Sequence, residues 1–264
     1  MAKQFNRIFT AFILLPLAFT AAFACAEMKL IATVIEQQAH DSKTFTQGLY
    51  LHDGVFFESS GLYGQSFIQR YNRKNTIEKR VDLPANIFAE GLTIKENQLH
   101  LLTWQSGQLL SFNSETLEYL GNRPYKGEGW GLTHHKDEFI MSNGSDKIFF
   151  RDSKSFEIKR TISVHNKWRK YTNINELEYV DGAIWANVWQ SSNILKISPK
   201  DGEVLGIASL KDLAKKNDTV PQHTVLNGIA FDPEKQAFWI TGKFWPNRYL
   251  VRFEQQKNNQ RDNK

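Results

Sequence analysis

Two charged residues of this 264-residue chain stand among aromatic residues, in settings where a charged side chain can do chemistry. Glu90 follows Phe88-Ala89, and Lys243 precedes Phe244-Trp245. Apolar surroundings raise the pKa of a carboxyl and lower that of an amine, which lets either group exchange protons near neutral pH. For Glu90 a structural alternative remains, in which the carboxylate accepts backbone N–H bonds and ties two strands together.

Aromatic and amide side chains recur at comparable places around these two residues. They stand just before or just after apolar runs, where loops can converge on a ligand. They are Phe45, Gln47, Phe88, Trp104, Trp130, Asn175 and Trp189. Trp104, Trp130 and Trp189 fit a pocket wall or packing equally well, whereas packing is expected for Trp185, Trp239 and Trp245. Glu58 and Glu128 are expected to be structural or solvated.

Other chemistries find less support in the sequence. No thiol and no Ser/His/Asp set with a nucleophile elbow stands among these candidates. His134-His135 lies beside a turn, and metal binding is not the preferred interpretation of that pair. We therefore predict no metal ligands and no cofactor.

The same short pattern occurs five times and predicts the fold. A glycine or glutamate precedes Leu49, Leu92, Leu132, Leu177 and Ile229, which are spaced by 40 to 52 residues. A polar turn and a second apolar run follow each of them, as in antiparallel strand pairs. Repeats of this length are typical of propellers and solenoids.

A third strand is expected in every repeat and a fourth in the first four repeats only. The N-terminal strand at 29–36 has no repeat of its own. We therefore predict an all-β, five-bladed β-propeller in which the N-terminal strand completes the last blade, because closure removes exposed sheet edges. A β-sandwich or an irregular β solenoid is the alternative. A short helix is expected at 212–217, and the polar residues 255–264 form a tail after the domain at 27–254.

Composition limits the class of protein. The formal net charge of +5 is too evenly spread to indicate a nucleic-acid partner. The one cysteine excludes a disulfide framework and cysteine-based zinc sites.

The first 26 residues predict a cleaved signal peptide. Basic Lys3 and Arg7 precede the apolar run 8–20, and Ala24-Cys25-Ala26 is a small-residue cleavage site. Cleavage after Ala26 gives a periplasmic or secreted protein with no stable membrane association. An uncleaved anchor is the alternative, and a lipoprotein signal at Cys25 fits less well.

Several motifs, taken together, resemble a known family. They are FTQGL at 45–49, ESSGLYGQS at 58–66, FAEGL at 88–92, GEGWGL at 127–132, NELE at 175–178 and NVW at 187–189. This set resembles the plant- and bacterial-type glutaminyl cyclases, the glutamine cyclotransferases related to the papaya latex enzyme. The resemblance covers nearly the whole chain after residue 30. It implies a five-bladed propeller that converts N-terminal glutamine to pyroglutamate and releases ammonia without a metal.

The resemblance also implies roles for individual residues. The essential acid corresponds to Glu90, with Asn175 and Lys243 as further catalytic residues and Asn173 as the alternative to Asn175. The substrate pocket corresponds to Phe45, Gln47, Phe88, Trp104, Trp130 and Trp189. The expected partners are peptides or proteins that begin with glutamine, and the protein is expected to be a monomer.

The reaction suits such residues. The α-amine attacks the γ-carboxamide, so a proton must pass from the amine to the departing nitrogen, and one carboxyl can carry it. Asn175, Lys243 or a tryptophan N–H could stabilise the oxyanion. Two other functions stay open: a non-catalytic binding or scaffold propeller, and a calcium-dependent, lactonase-like hydrolase. The hydrolase would gather oxygens from Glu90, Asn143, Asn175 and Asn227.

Overall fold

The computed structural model describes residues 27–218 and 224–256, which form an all-β structure with a single short helix. The predicted signal peptide and most of the predicted tail lie outside these residues. The strands are β1 (Met28–Ala39), β2 (Thr46–His52), β3 (Val55–Ser60), β4 (Phe67–Asn72), β5 (Ile77–Asp82), β6 (Ala89–Lys95), β7 (Gln98–Thr103), β8 (Gln108–Asn113), β9 (Tyr119–Pro124), β10 (Leu132–His135), β11 (Glu138–Ser142), β12 (Lys147–Asp152), β13 (Ile158–Ser163), β14 (Ile174–Val180), β15 (Ala183–Val188), β16 (Asn193–Ile197) and β17 (Val204–Ser209). Helix α1 (Lys211–Asn217) and strands β18 (Leu226–Asp232), β19 (Ala237–Gly242) and β20 (Asn247–Gln255) follow. Over the described ranges, no helix is both long and apolar enough to span a bilayer.

The strands pair into four sheets. Three have four strands each, in the orders β2-β3-β4-β5, β6-β7-β8-β9 and β10-β11-β12-β13. The fourth has eight, in the order β14-β15-β16-β17-β1-β20-β19-β18. A short parallel pairing of β1 with β17 joins its two halves. The strands and the helix at 212–217 that the repeat pattern predicts are confirmed to within a few residues.

The N-terminal strand pairs with the last strand, as the sequence predicts. β1 runs antiparallel to β20, from Leu30 opposite Gln255 to Ala39 opposite Asn247. The last half-sheet thereby gains the fourth strand that its own repeat lacks.

Tight turns connect the first and second strands of each repeat. Asp53-Gly54 and Glu96-Asn97 both have positive φ at the two central positions. This backbone matches the right-handed twist of the flanking strands, which is why polar residues and glycine occupy it.

The first strands of the five repeats contact one another in cyclic order. β2 contacts β6, β6 contacts β10, β10 contacts β14, β14 contacts β18, and β18 contacts β2. Five apolar clusters fill the spaces between neighbouring repeats, such as Phe57 with Leu92 and Phe56 with Trp239. Both faces of each first strand are therefore covered, and most residues of these strands are buried, polar ones included.

Two glycines allow the first strands to come close together. A Cβ on Gly91 would lie 2.5 Å from the backbone nitrogen of Leu132, and one on Gly131 would lie 2.0 Å from the carbonyl oxygen of Asn175. No side chain fits at these distances, which explains the glycine at this position of the repeat.

β-Bulges interrupt four first strands near their beginnings. The register shifts between Thr46 and Gly48, between Ala89 and Leu92, between Ile174 and Leu177, and between Leu226 and Ile229. A bulge leaves a residue unpaired and redirects its side chain. The redirected segments contain Gln47, Glu90, Asn175 and Asn227.

A buried ion pair joins the end of β1 to the first sheet. His40 Nε2 lies 2.8 Å from Glu58 Oε1, and His40 Nδ1 lies 2.7 Å from the carbonyl oxygen of Trp245. Glu58 also accepts hydrogen bonds from Thr46 and Gln69. Because both ring nitrogens face acceptors, His40 is protonated, and Glu58 has the structural role expected from the sequence.

Candidate active site

Bulge residues of three first strands line a cavity of about 270 Å³. Its lining residues are Phe45, Gln47, Leu62, Phe88, Glu90, Trp104, Trp130, Asn175, Trp189 and Lys243. All nine site residues predicted from the sequence are among them. Leu62 is the addition; it belongs to the 58–66 motif and has a positive φ of 84°.

Equivalent positions of the repeats supply these residues. Gln47, Glu90 and Asn175 lie in the bulges of β2, β6 and β14. Trp104, Trp189 and Lys243 directly follow second strands, and Phe45, Phe88 and Trp130 stand one or two residues before first strands. The ends of adjacent strands thus converge on one space, as the repeat alignment predicts.

Glu90 is a buried carboxyl held by an amide. Only 4% of the residue is exposed, and Gln47 Nε2 donates a hydrogen bond of 3.0 Å to its Oε1. Asn227 in turn donates to Gln47 Oε1 at 3.3 Å and fixes that amide. Burial raises the pKa of Glu90 well above its usual value; the positive charge of Lys243 opposes this shift and Glu128 adds to it. Burial thus makes this carboxyl bind a proton more readily than an exposed glutamate does.

Lys243 lines the same cavity, and its ammonium group loses a proton more easily than that of an exposed lysine. Burial lowers the pKa of its ammonium group to about 8, although the Glu90 carboxyl opposes the shift. Its Nζ lies 4.4 Å from the centre of the Phe45 ring. Within residues 27–218 and 224–256 this nitrogen forms no ion pair, so it remains free to bind a substrate atom.

Aromatic rings form the rest of the wall. Phe88 packs on Trp104 with ring centres 5.3 Å apart, and Trp130 meets Trp189 edge to face at 5.7 Å. Such a wall excludes water and can restrict a flexible substrate chain to few conformations.

Comparison with known proteins identifies the family. The family model described as glutamine cyclotransferase matches residues 9–253. This chain belongs to the glutamine cyclotransferase family. A glutaminyl-peptide cyclotransferase of Arabidopsis thaliana is 34% identical over 229 residues, which is 84% of this chain and 71% of that protein.

Solved structures agree with this placement in the cyclotransferase family. The crystal structure of Myxococcus xanthus glutaminyl cyclase superimposes with a TM-score of 0.82 at 32% identity, over 88% of this chain and all of that one. The WD40 β-propeller domain of Doa1 matches with a TM-score of 0.50 at 10% identity, over 79% of this chain and 63% of that one. The latter likeness concerns the fold alone.

In this cyclotransferase-family chain, Asn175 lines the cavity and Asn173 does not. The backbone oxygen of Asn175 accepts a 2.6 Å hydrogen bond from Ser142, and its buried Oδ1 has no partner among the described residues. Asn173 has a positive φ of 61° and directly precedes β14, and its backbone is hydrogen-bonded to Gly144 and Trp189. Of the two candidates, the structure brings Asn175 to the site.

Two of the tryptophan N–H groups are not available to stabilise an oxyanion. Trp104 Nε1 and Trp130 Nε1 donate to the same oxygen of Glu128, at 2.9 Å and 3.0 Å. A tryptophan N–H is one of the oxyanion donors expected from the sequence, and these two indoles do not supply it. Glu128, expected from the sequence to be structural or solvated, has a structural role beside the site, but its bonds to these two indoles were not predicted.

Glu176, and not Glu90, is the carboxylate that accepts backbone N–H bonds and ties strands together. Its two carboxyl oxygens accept backbone N–H bonds from Leu49, at 3.4 Å, and from Ile229, at 2.9 Å. This carboxyl therefore ties β14 to β2 and β18, while the Glu90 carboxyl receives a side-chain amide.

The remaining candidates lie outside the cavity. Trp185 and Trp245 belong to one apolar cluster and Trp239 to another, so packing is confirmed for all three. His134 is hydrogen-bonded to Thr93, and His135 stacks on Tyr179.

The oxygen set of the calcium alternative is not assembled here. Asn143 does not line the cavity, and its Oδ1 accepts hydrogen bonds from Ser145. Across residues 27–218 and 224–256, no three His, Cys, Asp or Glu side chains are grouped as a metal site.

Proposed function

We propose that this protein converts the N-terminal glutamine of peptides and proteins to pyroglutamate with release of ammonia, without a metal, and with Glu90 carrying the proton. The observation that carries the proposal is the buried, amide-held Glu90 carboxyl in an aromatic cavity opposite Lys243. Membership of the cyclotransferase family and the activities named for its relatives agree with this reaction.

The reaction forms one bond and breaks one. The α-amine nitrogen attacks the carbon of the γ-carboxamide, and the carbonyl oxygen becomes negative. The amine gives a proton to Glu90, and Glu90 passes a proton to the amide nitrogen. The bond from carbon to that nitrogen then breaks, so ammonia and a five-membered lactam leave. No atom or electron is supplied from outside.

Lys243 and Asn175 are the groups placed to stabilise the oxyanion. Lys243 offers a positive charge in an apolar cavity, and Asn175 offers its side-chain amide. One such donor contributes about 3–4 kcal/mol to the transition state. The aromatic walls fold the glutamine chain toward ring closure, since intramolecular reactions gain most from such restriction.

We also propose that the five four-strand units form a five-bladed β-propeller at residues 27–254, completed by β1. Support comes from the cyclic contacts of the first strands and from the likeness to a propeller domain. From the leader-like sequence at 1–26, we propose that the protein acts in the periplasm or outside the cell.

The test uses a dipeptide amide that begins with glutamine. We expect the purified protein to release ammonia with a matching loss of mass, to keep this activity in EDTA, and to lose it by about 10²–10⁴-fold in Glu90→Gln. Glutamine has nearly the shape of glutamate but cannot carry the proton. A folded protein without turnover would refute the proposed function. Activity abolished by EDTA would refute metal independence.

A further inference from the structure

Glu128 joins two walls of the cavity from behind. It lies in the loop between β9 and β10 and does not itself line the cavity. Its Oε2 accepts the N–H of Trp104 at 2.9 Å and the N–H of Trp130 at 3.0 Å. Its Oε1 accepts a hydrogen bond from Gln105 at 3.2 Å.

The two indoles that share this oxygen belong to different parts of the wall. Trp104 follows β7 and packs on Phe88, while Trp130 precedes β10 and packs on Trp189. One carboxylate oxygen thus connects two aromatic pairs. A backbone hydrogen bond of 3.0 Å from Gly129 N to the Trp104 carbonyl oxygen also joins the two segments, but Glu128 is the group that binds both indole rings.

The chemistry of the bond suits a fixing role. An indole nitrogen can donate but never accept, so each tryptophan has a single polar direction to satisfy. A charged acceptor makes a shorter and stronger bond than a neutral one. Partial burial acts to raise the pKa of Glu128, but hydrogen bonds from Trp130, Trp104 and Gln105 lower it, so this carboxyl is charged at neutral pH.

We infer that Glu128 is a positioning residue that holds the Trp104 and Trp130 indoles in the planes against which the glutaminyl chain packs, and that it thereby sets the affinity for substrate. The inference rests on the proposed function. Glu128 does not line the cavity, and its charge is the weakest of the three influences on the pKa of Glu90, so its loss acts on binding more than on the chemical step.

The experiment compares Glu128→Ala with Glu128→Gln, and uses Glu118→Ala as the matched control at an exposed glutamate. We expect KM for the glutamine dipeptide amide to rise about tenfold in Glu128→Ala, with kcat within about threefold. Glu128→Gln keeps a carboxamide oxygen that can accept from the indoles, so its KM should stay near the wild-type value. The control should not change either parameter.

Tryptophan fluorescence gives a second readout that needs no turnover. Emission maximum and acrylamide quenching should change in Glu128→Ala and stay close to wild type in the other two variants. Should Glu128→Ala not fold, the double variant Trp104→Phe, Trp130→Phe removes both N–H donors and keeps Glu128; we then expect the same rise in KM.

Three results would overturn the inference: an unchanged KM in a folded Glu128→Ala or in the double variant, a loss confined to kcat, or unchanged fluorescence in Glu128→Ala. A wild-type protein without turnover would instead refute the proposed function. In that case the fluorescence arm still decides whether Glu128 fixes the indoles.

Discussion

Burial in one cavity disfavours the charged form of both Glu90 and Lys243, and so it shifts their two pKa values in opposite directions. It raises the pKa of Glu90 well above the usual range and lowers that of Lys243 to about 8. The α-amine of a peptide has a pKa of roughly 7.7–8.0. A carboxyl with a raised pKa would thus meet two amines that titrate near pH 8, which suits a reaction that moves a proton between two nitrogens.

Replacing Lys243 with methionine should alter both the rate and its pH dependence. Loss of the oxyanion donor should lower kcat by about 10²–10³-fold. Lys243 lowers the pKa of Glu90, so its removal raises that pKa further. The acid limb of kcat/KM should therefore move to higher pH. Measured profiles test this, with Lys211→Gln on the exposed helix as the control; an acid limb that stays in place would contradict the coupling.

The settings of Glu90 and Lys243 can be predicted from the sequence, whereas the contacts of Glu128 cannot, and the reason is physical. Glu90 and Lys243 have their aromatic neighbours next to them in the chain, so their unusual settings are visible without a structure. Glu128 and Trp104 are 24 residues apart, and their hydrogen bond depends on how two sheets meet. No local pattern encodes such a contact.

At the scale of elements, bulges place the polar groups of the site. The bulges of β2, β6 and β14 lie at equivalent places and carry Gln47, Glu90 and Asn175. Residue types and spacing predict the strands, because apolar runs and turn residues are local signals. The bulges follow from the pairing register between strands, and so they could not be predicted from the same runs.

Close approach of these strands leads to a stability prediction for Gly131→Ala. The added Cβ would lie 2.0 Å from the backbone oxygen of Asn175, which cannot move without displacing β14. We expect a loss of about 3 kcal/mol in the free energy of unfolding, at the upper end for overpacking. Urea unfolding measures it.

Gly206→Ala is the matched control. A Cβ there meets the Leu30 side chain at 3.1 Å and the backbone oxygen of Met28 at 3.2 Å, contacts that a shift of a few tenths of an ångström relieves. Equal destabilisation by the two substitutions would contradict the close approach of Gly131 to the backbone of Asn175.

At the scale of the whole molecule, the ion pair between His40 and Glu58 joins the end of β1 to β3 of the first sheet. Burial lowers the pKa of His40, but Glu58 and the carbonyl oxygen of Trp245 outweigh it and raise the pKa above 6.5, against the opposing charge of Arg248. Burial raises the pKa of Glu58, but His40, Thr46 and Gln69 lower it below 4.5. Each partner thus keeps the other charged.

These shifts predict how stability depends on pH. The His40 contribution is complete below pH 6.5 and is lost as pH rises through the raised pKa. The Glu58 contribution is complete above pH 4.5 and is lost as pH falls through the lowered pKa. The pair therefore stabilises most between these values. Melting temperatures across pH should show a smaller advantage of wild type over His40→Gln above this window than within it; a constant difference would contradict the ion pair.

The pairing of β1 with β20 also has a consequence for synthesis. β1 leaves the ribosome long before β20, because 210 residues separate Gln38 from its partner Arg248. β1 therefore lacks this partner strand until nearly the whole chain has been made. During that time β1 presents an unpaired edge with Ile31, Val34 and Ile35, which stay exposed even in the finished structure. Such an edge is a template for aggregation. We therefore expect the unfinished chain to aggregate more readily than the complete one until its final strand has emerged.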